Sequence, residues 1–158
     1  MRMGATTIWE RWDGIKPDST FQTPSMNSFN HYSYGAIGDW MYRTVAGIDT
    51  YEDAPGYKRI KIMPHTSDSL SYAKADLKTY YGTISSNWKR NIDNYEFDIE
   101  IPANTRATVY IPAKSMESVK ENNTPLSSAK DIKLIGKESG YVVVEIGSGK
   151  YQFISTIR

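Results

Sequence analysis

From Tyr95 to Ile101 the chain alternates without a break. Tyr95, Phe97, Ile99 and Ile101 fall on one side, and Glu96, Asp98 and Glu100 fall on the other. A period of two belongs to a strand with one face in a core and one in water, and it cannot be threaded onto a helix of period 3.6. The pattern recurs around it. Ile60 and Ile62 alternate with Arg59 and Lys61; Ala73, Ala75 and Leu77 alternate with Lys74, Asp76 and Lys78. Gly82, Ile84, Ser86 and Trp88 share one face of the next segment. Pro102-Ala103-Asn104-Thr105 turns the chain, and Ala107, Val109 and Ile111 return. After a polar stretch, residues 113–131, come the segments 132–135 and 141–146, and Gly147-Ser148-Gly149 leads into 151–157 as a closing hairpin. About eight short strands separated by turn chemistry predict a mainly β fold, an antiparallel β-sandwich of the jelly-roll kind. Roughly 100 residues suffice for such a core.

Ahead of residue 48 the period changes. Tyr34, Ile37, Met41 and Val45 recur at spacings of three and four, with Trp40 beside them, and predict a helix over 31–46. Asn30 is placed to cap its start and Gly47 to stop it. Asp39 and Arg43 are spaced to pair along it. The helix is apolar on more than one side, so it needs a larger partner than this chain offers. Gly35 and Gly38 allow a neighbour to approach closely, at about 1 kcal/mol each in helix propensity. Residues 48–56, with Glu52-Asp53-Ala54-Pro55-Gly56, read as a linker. The chain thus divides into residues 1–50 and residues 51–158, without internal repeats or low-complexity segments.

The chemistry concentrates in residues 4–14, GATTIWERWDG. Glu10 stands between Trp9 and Trp12, and His31 follows in SMNSFNHYSYG, residues 25–35. Flat aromatic faces stack on the apolar face of a pyranose, and a carboxylate can do the proton work of cleaving a glycosidic bond. The residues alone leave alternatives open. Taken by themselves, Glu10 reads first as a loop carboxylate and His31 as a helix-start hydrogen-bonding residue, while the two tryptophans fit core packing as well as they fit sugar platforms. Asp13 is best read as holding the Asp13-Gly14 turn. Thirty residues with so little periodicity are either functional loop or disorder, and Trp9, Trp12, Phe21 and Phe29 argue for order.

Composition removes other classes. There is no cysteine, which excludes a disulfide framework, a thiol nucleophile and a zinc–cysteine site. A net charge of +1 gives no field for nucleic acid. No run of about 18 apolar residues is available to span a membrane, and no cluster has metal-ligand spacing. The start, MRMGATTIWE, has neither an apolar signal core nor lead-in structure, as if the chain began inside a larger fold. The compartment stays open.

Three segments together, GATTIWERWDG, MNSFNHYSYGAIGDWMYRTVAGI and PGYKRIKIMP, resemble the C-terminal end of bacterial α-L-rhamnosidases of glycoside hydrolase family 78. IPANTRATVYIP resembles a strand pair of that family's C-terminal sandwich. The resemblance implies the last loop and helix of an (α/α)6 catalytic barrel followed by the sandwich. It implies an inverting hydrolase of terminal α-L-rhamnosyl groups that uses two carboxylates and no cofactor. Glu10 then matches the general base, and His31 lines the sugar site. Trp9 and Trp12 border the same pocket, while Arg11 or His31 tunes Glu10. The family's general acid and most of its sugar-binding carboxylates lie upstream and have no match here. The implied partners are a rhamnose-containing glycan or glycoside and the N-terminal part of the catalytic domain. A rival reading is a free-standing, non-catalytic carbohydrate-binding or structural sandwich, touching glycans through Tyr80, Tyr81 or Trp88.

Overall fold

The computed structural model describes residues 4–157, and its contacts divide the chain into two units, Met1–Trp40 and Met41–Arg158.

Among the described residues of the second unit there are eleven strands. They are β1 (Ile48–Thr50), β2 (Arg59–Ile62), β3 (Tyr72–Thr79), β4 (Gly82–Arg90), β5 (Asn94–Ile101) and β6 (Arg106–Pro112). The remainder are β7 (Val119–Glu121), β8 (Thr124–Pro125), β9 (Ile132–Glu138), β10 (Tyr141–Ile146) and β11 (Gly149–Thr156). One sheet runs β1-β2-β6-β10-β9 and the other β3-β4-β5-β11-β7-β8. All pairings are antiparallel except β2 with β6.

The alternation explains the core. On β5, Tyr95, Phe97, Ile99 and Ile101 are buried, and Glu96 and Asp98 face out. Register then aligns large side chains in rows across the strands. Trp88 lies opposite Phe97, and Phe97 opposite Phe153, in one sheet. In the other, Ile48 lies opposite Ile62, Ile62 opposite Val109, and Val109 opposite Val144. These rows meet in one cluster between the sheets. Fully burying a side chain of this size contributes about 1.5–3 kcal/mol, so the rows supply most of the drive to fold.

The structure corrects the connections. Residues 48–56 are not simply a linker, because Ile48 is fully buried and β1 pairs with β2. The turns at 102–105 and 147–149 do not close hairpins: each carries the chain from one sheet to the other. Alternation records which face of a strand is apolar and is silent about which sheet it joins. The polar stretch 113–131 holds β7, β8 and two 3-10 turns, anchored by buried Val119 and Leu126. On β4, Ile84, Ser86 and Trp88 are buried, whereas Gly82 lies at the exposed start.

The expected helix over 31–46 is irregular. Tyr32–Ala36 is a 3-10 turn, Ile37–Trp40 a single α turn, and Met41–Val45 a π turn. None of the residues from Tyr32 to Val45 is buried, so no packed apolar face enforces a regular ladder, and Gly35 and Gly38 weaken it further.

The exit from this run is well fixed. The Trp88 indole donates to the Val45 carbonyl (2.8 Å), and the Ser86 hydroxyl donates to Ala46 (2.6 Å). The His65 amide donates to Thr44 (2.9 Å) and the Met63 amide to Gly47 (2.8 Å). Arg43 pairs with Asp49 at 2.9 Å.

Candidate active site

The first unit holds Trp9, Glu10, Trp12 and His31. Regular structure is sparse there, and the loop is built by turns and by backbone ties. Asp18 accepts from the Thr20 hydroxyl (2.7 Å) and amide (3.0 Å), which closes the turn between Ile15 and Phe21. These hydrogen bonds, the hydroxyl first, hold the Asp18 carboxyl below its ordinary range. The Gly14 amide donates to Arg11 (3.4 Å), so Asp13-Gly14 does form a turn, with Trp12 at its tip.

Two segments run side by side. The Glu10 amide donates to Ser28 (2.9 Å), the His31 amide donates to Ile8 (2.8 Å), and the Thr7 hydroxyl donates to the Phe29 carbonyl. The backbone of the Glu10 segment is thus joined to the one that ends at His31, although the two are about twenty residues apart in sequence. Glu10 is half-buried and so keeps access to solvent.

The two tryptophans differ. Trp12 is fully exposed and is free to stack on a ligand. Trp9 is half-buried and packs edge-on against Phe29, with centroids 5.1 Å apart. Phe29 also meets Phe21 at 5.8 Å and lies against buried Gly14, where an added Cβ would come within 3.0 Å of its ring. This aromatic knot takes the place of a core beneath the loop. Trp9 is therefore partly structural, and Phe29 is a site-supporting residue that only non-local packing reveals.

His31, rather than Asn30, caps the helical run. Its Nδ1 accepts from the Ser33 amide (3.4 Å) and lies 2.7 Å from the Ser33 hydroxyl. Its ring stacks on Tyr32 at 5.7 Å. A nitrogen that accepts an amide proton carries none itself, so neutral His31 holds its proton on Nε2, the atom left to donate to a ligand. Ser33, two residues on, is a partner that the sequence reading did not single out.

Arg11 is engaged by residues of its own loop. Its guanidinium is turned to Gln22 (3.3 Å), Thr23 (3.2 Å) and the Met26 sulfur (3.7 Å). In the second unit Trp88 is buried in the core and cannot touch a glycan, whereas Tyr80 is exposed and Tyr81 half-exposed. Among the described residues, no group of three or more His, Cys, Asp or Glu is placed to hold a metal.

Comparison with known proteins matches residues 1–45 to the bacterial alpha-L-rhamnosidase 6 hairpin glycosidase domain. Residues 47–125 match the bacterial alpha-L-rhamnosidase C-terminal domain. An alpha-L-rhamnosidase of Streptomyces avermitilis is 39% identical over 153 residues, which cover 95% of this chain and 14% of that protein. One from Formosa agariphila is also 39% identical, over 97% of this chain and 16% of its own length. The solved Streptomyces avermitilis enzyme, complexed with L-rhamnose, superposes with a TM-score of 0.74 at 38% identity, covering 97% of this chain and 14% of its own. That of Dictyoglumus thermophilum gives 0.76 at 34%, covering 99% and 17%. The chain therefore spans about one-seventh to one-sixth of the length of these relatives. It belongs to the bacterial α-L-rhamnosidase family and is homologous to the C-terminal part of its members.

Proposed function

We propose that the chain forms the closing part of an inverting α-L-rhamnosidase of glycoside hydrolase family 78 and that Glu10 is its general base. The observation that carries this reading is the placement of Glu10. It is solvent-accessible, beside exposed Trp12, on a segment hydrogen-bonded to the one that ends at His31. In this reading residues 1–50 end an (α/α)6 barrel and residues 51–158 form the sandwich, with β1 drawn into the latter.

The substrate is a terminal α-L-rhamnosyl group of a glycan or glycoside, in keeping with the L-rhamnose held by the Streptomyces avermitilis relative. Ionised Glu10 takes a proton from a water on one face of the ring. An acid on the opposite face protonates the leaving oxygen, and the two carboxyls stand about 6.5–9.5 Å apart to admit that water. His31 donates through Nε2 to a sugar hydroxyl, and Trp12 offers a stacking face, with Trp9 bordering the pocket. Two carboxylates complete this displacement, so no cofactor is invoked.

The acid and the remaining walls come from polypeptide outside this chain. Ile8, Phe21, Met26, Tyr34, Ile37 and Trp40 expose about half of their surface or more, a density of bare apolar groups that supports packing within a larger barrel.

In a rhamnosidase carrying residues 1–158 as its C-terminal part, Glu10→Gln is expected to lower kcat by about 10²–10⁴-fold with KM little changed. Near-normal hydrolysis would remove Glu10 from the role. The purified 158-residue chain is expected not to turn over a nitrophenyl rhamnoside, and turnover would show that it needs no outside walls.

A further inference from the structure

The outer face of the β1-β2-β6-β10-β9 sheet carries a groove of about 270 Å³ lined by Tyr51, Arg59, Arg106, Thr108 and Glu145. A second groove of about 350 Å³ shares Arg106 and Glu145 and continues past Lys133. Together they reach the range of about 300–1,000 Å³ usual for small-ligand sites.

The charges in this groove are unevenly matched. Arg59 and Arg106 lie directly opposite each other on the parallel strands β2 and β6. Like charges facing across strands repel. Arg59 is already committed: it pairs with Asp53 at 3.1 Å, and its guanidinium lies 4.5 Å from the centre of the Tyr51 ring. Among the described residues, no carboxylate pairs with Arg106. Glu145 stands opposite Lys133 on β9, which offsets it, and Asp131, which lines the second groove together with Arg106, makes no ion pair with that arginine. The Arg59–Arg106 end therefore presents an unmet guanidinium beside an aromatic ring braced by a stacked cation. Further along lie Thr108, a hydroxyl, and Glu145, an acceptor for hydroxyls.

We propose that this groove is a binding site for a carboxylate-bearing oligosaccharide. Arg106 grips the carboxylate with its planar fork, Tyr51 borders the site with its ring held under the Arg59 guanidinium, and Thr108 and Glu145 meet hydroxyls of the neighbouring sugar. An anion seated at Arg106 also relieves its repulsion with Arg59. The inference rests on the second unit alone and stands or falls independently of Glu10.

The test is calorimetric titration of the 158-residue chain with trigalacturonate and with neutral galactotriose at low salt. The acidic trimer is expected to bind at about millimolar affinity or better, and the neutral one at least about tenfold more weakly. Arg106→Ala should weaken the acidic trimer about tenfold or more, and Arg106→Lys should fall between, because a point charge replaces a bidentate donor. Arg106 is exposed, so both variants should melt as the wild type does. Equal affinity for the two trimers, no binding of the acidic one, or indifference to Arg106→Ala would each overturn the proposal. So would amide shifts on titration that fall away from Thr108 and Glu145.

Discussion

Gly47 sits where a side chain has no room. Its φ is +81°, a conformation that costs an L-residue about 1 kcal/mol or more. A Cβ there would come within 2.2 Å of the Pro64 nitrogen, 2.5 Å of the Met63 carbonyl carbon and 2.7 Å of the Pro64 Cα. These are backbone atoms, held in place by the Met63 amide bond to the Gly47 carbonyl, and they cannot rotate aside. Gly47→Ala is expected to cost about 3 kcal/mol or more in urea unfolding followed by tryptophan fluorescence. A loss below about 1 kcal/mol would mean that the segment relaxes freely. The sequence marks Gly47 only as a helix stop; the closeness of Pro64 is a tertiary fact that no local pattern encodes. The same divide runs through the candidate site. Glu10 between two indoles is legible from its immediate neighbours. Phe29 against Trp9 and Gly14, and the turn of Arg11 away toward Gln22 and Thr23, arise from contacts between segments that sequence spacing does not join.

At the scale of elements, the passage from the helical run into β1 depends on donors from β4. The indole of Trp88 and the hydroxyl of Ser86 satisfy the carbonyls of Val45 and Ala46 as the chain dives into the core. Leaving a buried carbonyl without its donor costs about 1–3 kcal/mol. Trp88→Phe loses the N–H together with the five-membered ring that carries it, and Ser86→Ala loses the hydroxyl. Each is expected to destabilise by about 1–3 kcal/mol and to speed amide exchange at Met63 and His65, which bond to Gly47 and Thr44 in the same segment. Unchanged exchange at those two amides, with stability lowered, would place the damage elsewhere. Strands such as β5 could be read from the sequence because their alternation is a local record of burial. The sheet changes at Pro102–Thr105 and at Gly147–Gly149 could not, because both flanking strands are apolar on their inner faces in either arrangement. The helical run from Tyr32 to Val45 misled for the opposite reason. Its apolar spacing is genuine, yet none of those side chains is buried, and without burial the period does not enforce a regular helix.

The sandwich as a whole carries a pH limit set by its tyrosines. Tyr110, Tyr141 and Tyr151 each have a hydroxyl whose pKa lies above the ordinary value of about 10. Burial is the leading cause in all three. Tyr51 and Glu138 add to it at Tyr110, Tyr95 at Tyr141, and Asp131 and Glu121 at Tyr151. The folded state therefore holds these protons more tightly than the unfolded chain does. Below about pH 10 both states are protonated and the full stability is present. As the pH rises through that value, the unfolded chain releases its phenolic protons first, and stability falls until the folded-state values are passed. The three residues sit on different strands, β6, β10 and β11, and two of them, Tyr110 and Tyr141, form an edge-on ring pair at 6.2 Å. Their contributions are expected to sum into one cooperative alkaline transition. Melting temperatures measured from pH 7 to pH 11 should be flat up to about pH 9 and then decline. The triple variant Tyr110→Phe, Tyr141→Phe, Tyr151→Phe, which keeps the rings and removes the protons, should decline less steeply. An identical decline in the variant would assign the alkaline loss to other groups.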